Sequence, residues 1–415
     1  EDYMIVVPEG SSLTLKDVKI DGGAVWEGSE DATIGRGTEN SGVKATSAMI
    51  YNFGTLTVKS GTILENNDNT TTSGAIATKD EETGEYTFPS VTDKVQFGGA
   101  VLNGGLMEIS GGTIRNNNVG WRGAGIASYG KIEMTGGTIS GNYARNSWGD
   151  GGAIYLSGKK NDTGEDYTAS NASYCTIFDG NFTKNKSDGA GGAVCADGYS
   201  ILYVKGGTFE NNAAATTGGG INVYSSCLRM SDGKISGNTA VSTNGSTGFG
   251  GGLNLTAGSV ADITGGTIEN NQSNSGGGIY ANGKSSFTAS NLKITGNTAA
   301  TNGGMYAEGS DVQAEFTLDN DGKRVGFADS AVISTSGTRV TVKDVNNRTF
   351  VTDVPSNVAG TQFSDTVKAD DKSTATSTQT AKVTQEVTDV GTMSVHVGAN
   401  ENQVILIDIP AVTSY

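Results

Sequence analysis

Apolar residues in this chain fall into columns spaced for strands, not into helical stripes. In eight places an Ile or Phe is followed three residues later by Asn: Ile63…Asn66, Ile114…Asn117, Ile139…Asn142, Phe182…Asn185, Phe209…Asn212, Ile235…Asn238, Ile268…Asn271 and Ile294…Asn297. Five residues before each Ile/Phe stands another small or apolar residue: Val58, Ile109, Met134, Ile177, Val204, Met230, Ile263, Ala289. Seven before it stands a third: Leu56, Met107, Ile132, Cys175, Leu202, Leu228, Ala261, Phe287. Positions two apart share one face of a strand. A second motif, Gly-Gly-Ala/Gly plus an aliphatic residue, ends at Val101, Ile126, Ile154, Val194, Ile221, Leu253 and Ile279. Met305 carries a looser version, and Ile50 and Ile76 weaker ones. No 3.6-residue period accompanies these columns, which excludes a leucine-rich repeat with helices.

Each repeat therefore predicts one coil of three short strands, with glycines at the corners, where positive φ and close backbone approach are needed. Ile114 and Ile139 stand only twenty-five residues apart, which leaves little loop beyond a three-sided coil. The fold class predicted is all-β: a right-handed three-sided parallel β-helix, with handedness from the crossover rule. Nine coils, counting Leu13–Leu15–Ile20 as the first, would rise about 40 Å at strand spacing. The motif asparagines are expected to stack as an internal amide ladder. Residues 1–310 read as the β-helix, with a polar excursion at Glu27–Lys44 and two polar insertions at Lys79–Gln96 and Lys159–Ser173. Such departures from a repeat are where solenoids carry function. Beyond Gly309 the motif fades into strand-like Phe316–Leu318, Val332–Ile333, Val340–Val342 and Val404–Ile409, around a polar stretch Thr361–Thr388. Residues 311–415 are expected to be an irregular all-β cap or a small β domain.

Composition fits a stacked fold. Only 35% of residues are hydrophobic while 63 are glycine, too lean for a globular core but enough for coils with few inward positions. The formal net charge of −16 argues against nucleic acid and anionic membranes as partners. No apolar run is long enough to span a bilayer. Cys175 sits in an inward column; Cys195 and Cys227 lie at non-equivalent positions of neighbouring coils, which leaves a disulfide between them open, and no Cys-x-x-Cys spacing occurs. Neither signal peptide nor sorting sequence is seen, so the chain is expected to be a segment of a larger secreted, cell-wall-anchored protein.

Catalytic chemistry finds few carriers. Glycoside hydrolysis needs two carboxylates on one cleft, yet those of the array are scattered. Asp179 and Asp232 share a column position with a whole coil between them, where Gly206 stands, and read as corner residues. His396 has no recognisable nucleophile partner. Asp319-Asn320-Asp321-Gly322 resembles the start of a calcium loop without its closing Glu, so Ca²⁺ is expected only incidentally and no cofactor is implied. The aromatic residues, 7% of the chain, point elsewhere. Trp121 and Trp148 fall in the corner between the motif Asn and the next Gly-Gly in adjacent coils, together with Arg122, Tyr143, Arg145 and Asp150. Two indoles with guanidinium and carboxylate partners make a candidate ligand-binding patch; rings folded over a corner are the structural alternative. A second column, Tyr155, Asn222, Asn254, Tyr280 and Tyr306, points outward by alternation.

Gly191-Gly192-Ala193-Val194 with Phe182…Asn185 and Phe209…Asn212 resembles the repeat signature of chlamydial polymorphic membrane protein passengers. The variants with Ile for Phe resemble the long repetitive surface proteins of gut Gram-positive bacteria. The resemblance covers about residues 45–310 and implies an extracellular adhesin-type segment with no catalytic residues to carry over. The function expected is non-catalytic binding of a host macromolecule by a monomer at the bacterial surface. The ligand would be a mucin-type glycan or a host protein, immunoglobulin included. A polysaccharide-processing β-helix enzyme and a structural spacer remain alternatives.

Overall fold

The computed structural model describes residues 4–70, 97–158, 173–242, 248–282, 285–289, 291–301 and 303–308, together with further isolated strands. It is a parallel β-helix. Three parallel sheets run its length, one of ten strands, one of 16 and one of eight. The Gly-Gly aliphatic residues stack in register on the ten-stranded face, from Ile50 through Val101, Ile126, Ile154, Val194, Ile221, Leu253 and Ile279 to Met305. The Ile/Phe columns stack on the longest face and, with the Gly-Gly aliphatics, form one continuous core. Within it the Phe182 and Phe209 rings stack at 4.6 Å. The third face is a row of short strands, among them Asn118–Val119, Tyr143–Ala144 and Lys186–Ser187.

The predicted corner between the two apolar columns of the long face is not a corner. In the central coils the chain continues as one ten-residue strand, Leu106–Arg115 or Lys131–Ser140, with a register shift at the glycines. The reason is parity. Ile109 and Ile114 are an odd number of residues apart, so strict alternation would turn one of them outward. One extra residue must be absorbed, and a bulge does it. Gly112 takes φ +81° there, where an added Cβ would lie 2.9 Å from the Lys59 and Thr62 carbonyls.

The asparagine ladder forms, starting one residue later than the motif count places it. Leu64, not Ile63, pairs with Ile114, and Asn67, not Asn66, accepts the first ladder position. The cause is one additional residue between Val58 and Leu64. The inner ladder amides are fully used: Asn142 donates to Asn185 Oδ1 and to the Ile114 carbonyl, both at 3.0 Å, while its Oδ1 accepts from the backbone and side-chain N–H of Asn117. The residue before each ladder Asn has left-handed backbone: Asn66, Asn116, Gly141, Lys184, Asn211, Gly237, Asn270 and Gly296 lie at φ between 55° and 62°. That position is therefore a turn constraint, met by Asn or Gly everywhere except at Lys184.

The parallel stack runs past residue 310. Asp311–Thr317 joins the long face, pairs in parallel with Thr378–Thr384, and that strand pairs antiparallel with Gln362–Lys368. Antiparallel sheets also join residues 332–353 and 392–408. Cys175, Cys195 and Cys227 are buried free thiols, so the Cys195–Cys227 disulfide does not form. Ile76 lies outside the described residues.

Two stability measurements follow. Asn142→Ala strands several buried polar partners, at about 1–3 kcal/mol each, so urea unfolding should register a loss of several kcal/mol, and a loss below about 1 kcal/mol would remove the ladder's role. Lys184→Asn should raise stability by about 1 kcal/mol, since Asn tolerates the left-handed region that a Lys side chain opposes.

Candidate functional site

The six residues of the predicted patch divide among three surroundings. Trp121, Arg122 and Asp150 meet over the outer side of the ten-stranded face. Tyr143 and Arg145 lie on the outer side of the short-strand face. Trp148 stands at the apex between them and is 68% exposed.

The outward column of the ten-stranded face is not a free surface. Tyr155, Asn222, Asn254 and Tyr280 are all at most 3% exposed. The chain leaving each short strand folds back over them and builds a second layer. Phe97 packs against Trp121 with ring centres 5.5 Å apart and planes tilted by 38°, and also packs with Leu102 and Ala127. Phe249 stacks on Tyr280 at 4.5 Å, and Tyr280 on Tyr306 at 5.1 Å.

Within this layer lies a charged cluster. Arg122 Nε is 3.4 Å from Asp150 and its Nη1 is 3.6 Å from Asp197. Arg122 also donates to the Tyr155 hydroxyl, which in turn donates to Asp197 at 2.8 Å. Asp150 accepts the Ala190 N–H at 2.8 Å. Burial works against the Arg122 charge, and Tyr155, Asp150 and Asp197 more than offset it. One guanidinium serves two carboxylates, so each carboxylate is only partly compensated. Asp150 is the less exposed of the two, and burial pushes its carboxyl up to about 6, against the pull of the Ala190 bond and Arg122. Tyr129 closes the edge, with its hydroxyl pushed up by burial. Chain departures flank the cluster: Phe97, where the first insertion ends, pairs with Arg122, and Ser157, just before the second, pairs with Asp197. The rest of both insertions, apart from the paired strands Thr78–Lys79 and Tyr86–Thr87 and from Ser173, lies outside the described residues.

The excursion at 22–45 explains the fate of Tyr143 and Arg145. It crosses the short-strand face as a strap. Arg36 donates to the Gly141 carbonyl at 3.1 Å and to Asn118, with its guanidinium 3.6 Å over the Trp26 ring. Asp31 pairs with Lys186 at 3.0 Å, and Arg145 donates to the Thr38 carbonyl. Burial, and after it the neighbouring Arg145, pulls Arg36 down to about 9. Arg145 and Lys186 both stand over the Tyr143 ring, at 5.0 and 4.8 Å.

Trp148 remains outside. Its turn is pinned rather than loose: Asn146 takes φ 92°, its side chain accepts the Trp148 N–H at 2.9 Å, and its carbonyl accepts the Gly149 N–H at 2.7 Å. Asp188 of the next coil accepts from the Asn146 N–H at 3.2 Å and from the Tyr143 hydroxyl at 2.9 Å. Asp188 is a residue that reasoning from motifs missed. Aligning the coils on Asn142 and Asn185 would have found it, since it falls opposite Arg145. Asp197 and Tyr129 share one coil position in the same way, three residues after Val194 and Ile126. Asp179 and Asp232 accept the N–H of the following bulge glycine. Among the described residues, no three His, Cys, Asp or Glu stand together to hold a metal, and Asp319–Gly322 lies outside them.

No protein-family model, no curated protein and no solved structure matches this chain.

The raised Asp150 carboxyl gives a signed pH effect. Its folded value lies above the usual 3.8, so its favourable contribution is present below about pH 4 and is lost as pH rises through 6. Relative to Asp150→Asn, the native chain should lose up to about 3 kcal/mol between pH 4 and 8. Paired thermal melts across that range check it, and a flat difference would contradict the burial of this charge.

Proposed function

We propose that this chain is a non-catalytic binding segment of a bacterial cell-surface protein that recognises a host macromolecule, a glycan or a protein, through the Trp148 turn and the Arg122–Asp150–Asp197 cluster beside it. One observation carries the reading. An indole 68% exposed is held on a turn fixed by an Asx bond and by a carboxylate of the next coil. Large rings left in water on pre-ordered backbone are the usual anchors of binding surfaces, because little side-chain entropy remains to be lost on contact. The neighbouring cluster supplies acceptors and a guanidinium fit for hydroxyl or amide groups.

A second reading has its own support. Asp150 and Asp197 share one arginine, and burial holds Asp150 close to neutrality in pH. A carboxyl raised by burial beside a second carboxylate is the raw material of glycoside hydrolysis, so a polysaccharide-processing activity is the alternative.

A glycan array and a host-protein pull-down decide between them. Binding should be saturable, and Trp148→Ala should weaken it by about thirtyfold, in the range of a binding hot spot, without shifting the melting temperature. A ligand held equally well by Trp148→Ala would refute the anchor. New reducing or unsaturated ends released from a polysaccharide, and lost in Asp150→Asn, would establish the enzyme instead.

A further inference from the structure

A second constellation of aromatic residues lies on a different face. On the strand Tyr174–Thr183, Cys175 and Ile177 point into the core, so Tyr174, Thr176 and Phe178 point out. Tyr203 of the next coil pairs with Thr176. Three rings thus share one flat stretch of the long sheet, with Tyr174 and Phe178 about 13 Å apart along the strand and Tyr203 between them, one strand over at about 4.8 Å. Phe178 is 45% exposed.

Three cations elsewhere on the face are held by carboxylates. Arg115 pairs with Glu65 at 2.7 Å, Lys234 with Glu269 at 2.8 Å and Arg229 with Asp262 at 3.6 Å. Lys131 and Lys205 instead lie over rings, 5.2 Å from the centre of Tyr174 and 4.8 Å from that of Phe178, with no ion pair among the described residues. Of the carboxylates alongside, Asp179 accepts the Gly180 N–H at 2.8 Å, Asp232, opposite Lys205 on the next strand, accepts the Gly233 N–H at 2.7 Å, and Glu133 is exposed beside Thr176. Two ammonium groups outside any ion pair among the described residues, set on an aromatic floor, complement a ring-shaped ligand that carries negative charge.

We infer that this face is a binding site for an acidic saccharide, with sugar rings stacked on Phe178 and Tyr203 and its carboxylate or sulfate groups taken by Lys205 at one end or Lys131 at the other. The inference rests on the chain's being a binding protein but uses none of the residues around Trp148. Glu133, beside Thr176, and Asp232, opposite Lys205, are the competing charges and limit the affinity.

The test is direct binding of the full chain to one oligosaccharide immobilised in neutral, sialic-acid-terminated and O-sulfated forms, at low and physiological salt. At least one acidic form should bind about tenfold or more tighter than the neutral one, and salt should weaken it. Phe178→Ala and Tyr203→Ala, both at outward positions, should each reduce binding by about tenfold. Lys131→Gln and Lys205→Gln should reduce it and flatten the salt dependence, whereas Glu133→Gln should tighten it by about two- to threefold. Trp148→Ala should leave it unchanged. Equal binding of neutral and acidic forms overturns the inference. So does a ligand lost in Trp148→Ala but kept in Phe178→Ala, which would leave the function proposed above standing. Absence of any ligand in both sets of experiments overturns both.

Discussion

The hydrogen bond between stacked asparagine amides is the interaction on which the register of this molecule depends. Asn is suited to it because one planar group offers two donors and an acceptor with two lone pairs. Each ladder residue from Asn117 to Asn271 spends one N–H on the next amide and one on a carbonyl of the preceding coil. Its oxygen meanwhile closes the backbone turn of that coil. The bond is the same wherever it is made: Asn117 to Asn142, twenty-five residues on, and Asn142 to Asn185, forty-three residues on, both at 3.0 Å. Extra residues are therefore expelled from the coil instead of being averaged into it. A slip by one residue would turn every inward side chain outward and break the amide row at once. The bulge glycines and the left-handed residue before each Asn keep the chain on that register across coils of unequal length.

This rigidity divides the residues into two populations. Inward and ladder positions are committed to stacking and vary little in type. Outward positions are free, and chemistry concentrates there. The outward positions are not equivalent, however. The ten-stranded face is roofed by the chain's own return segments, the short-strand face by the strap of residues 22–45, and the long face is bare among the described residues. Charged groups caught beneath a roof are paired or bonded to carbonyls, as Arg122 and Arg36 are. Aromatic rings on the bare face or at an apex stay in contact with water, as Phe178 and Trp148 do.

Much of this was legible in the chain. The Ile/Phe and Gly-Gly columns placed the inward residues of two faces almost without error, because a solenoid repeats one local solution and each copy corroborates the rest. The failures are informative. Ile63 and Asn66 were assigned to positions that Leu64 and Asn67 hold, since Gly-Thr-Ile recurs there with one residue inserted after Val58. The Gly-Gly pair read as a corner because glycines mark both corners and bulges, and only the parity of the apolar positions on either side separates the two. The outward column through Tyr155 and Tyr280 was oriented correctly and yet is buried, since alternation gives the direction of a side chain and says nothing of what lies beyond it.

By itself, the sequence determined the coil, its inward columns and its ladder. Those depend on contacts between each residue and its counterpart one period away, and periodicity displays such contacts openly. The tertiary structure alone decided which outward residues face water. Trp121 is covered by Phe97, from the end of an insertion, and Arg145 by Thr38, more than a hundred residues earlier in the chain. Trp148, in an equivalent corner, is covered by nothing among the described residues. Contacts of that kind join parts of the chain related by no period, so only the folded arrangement reveals them.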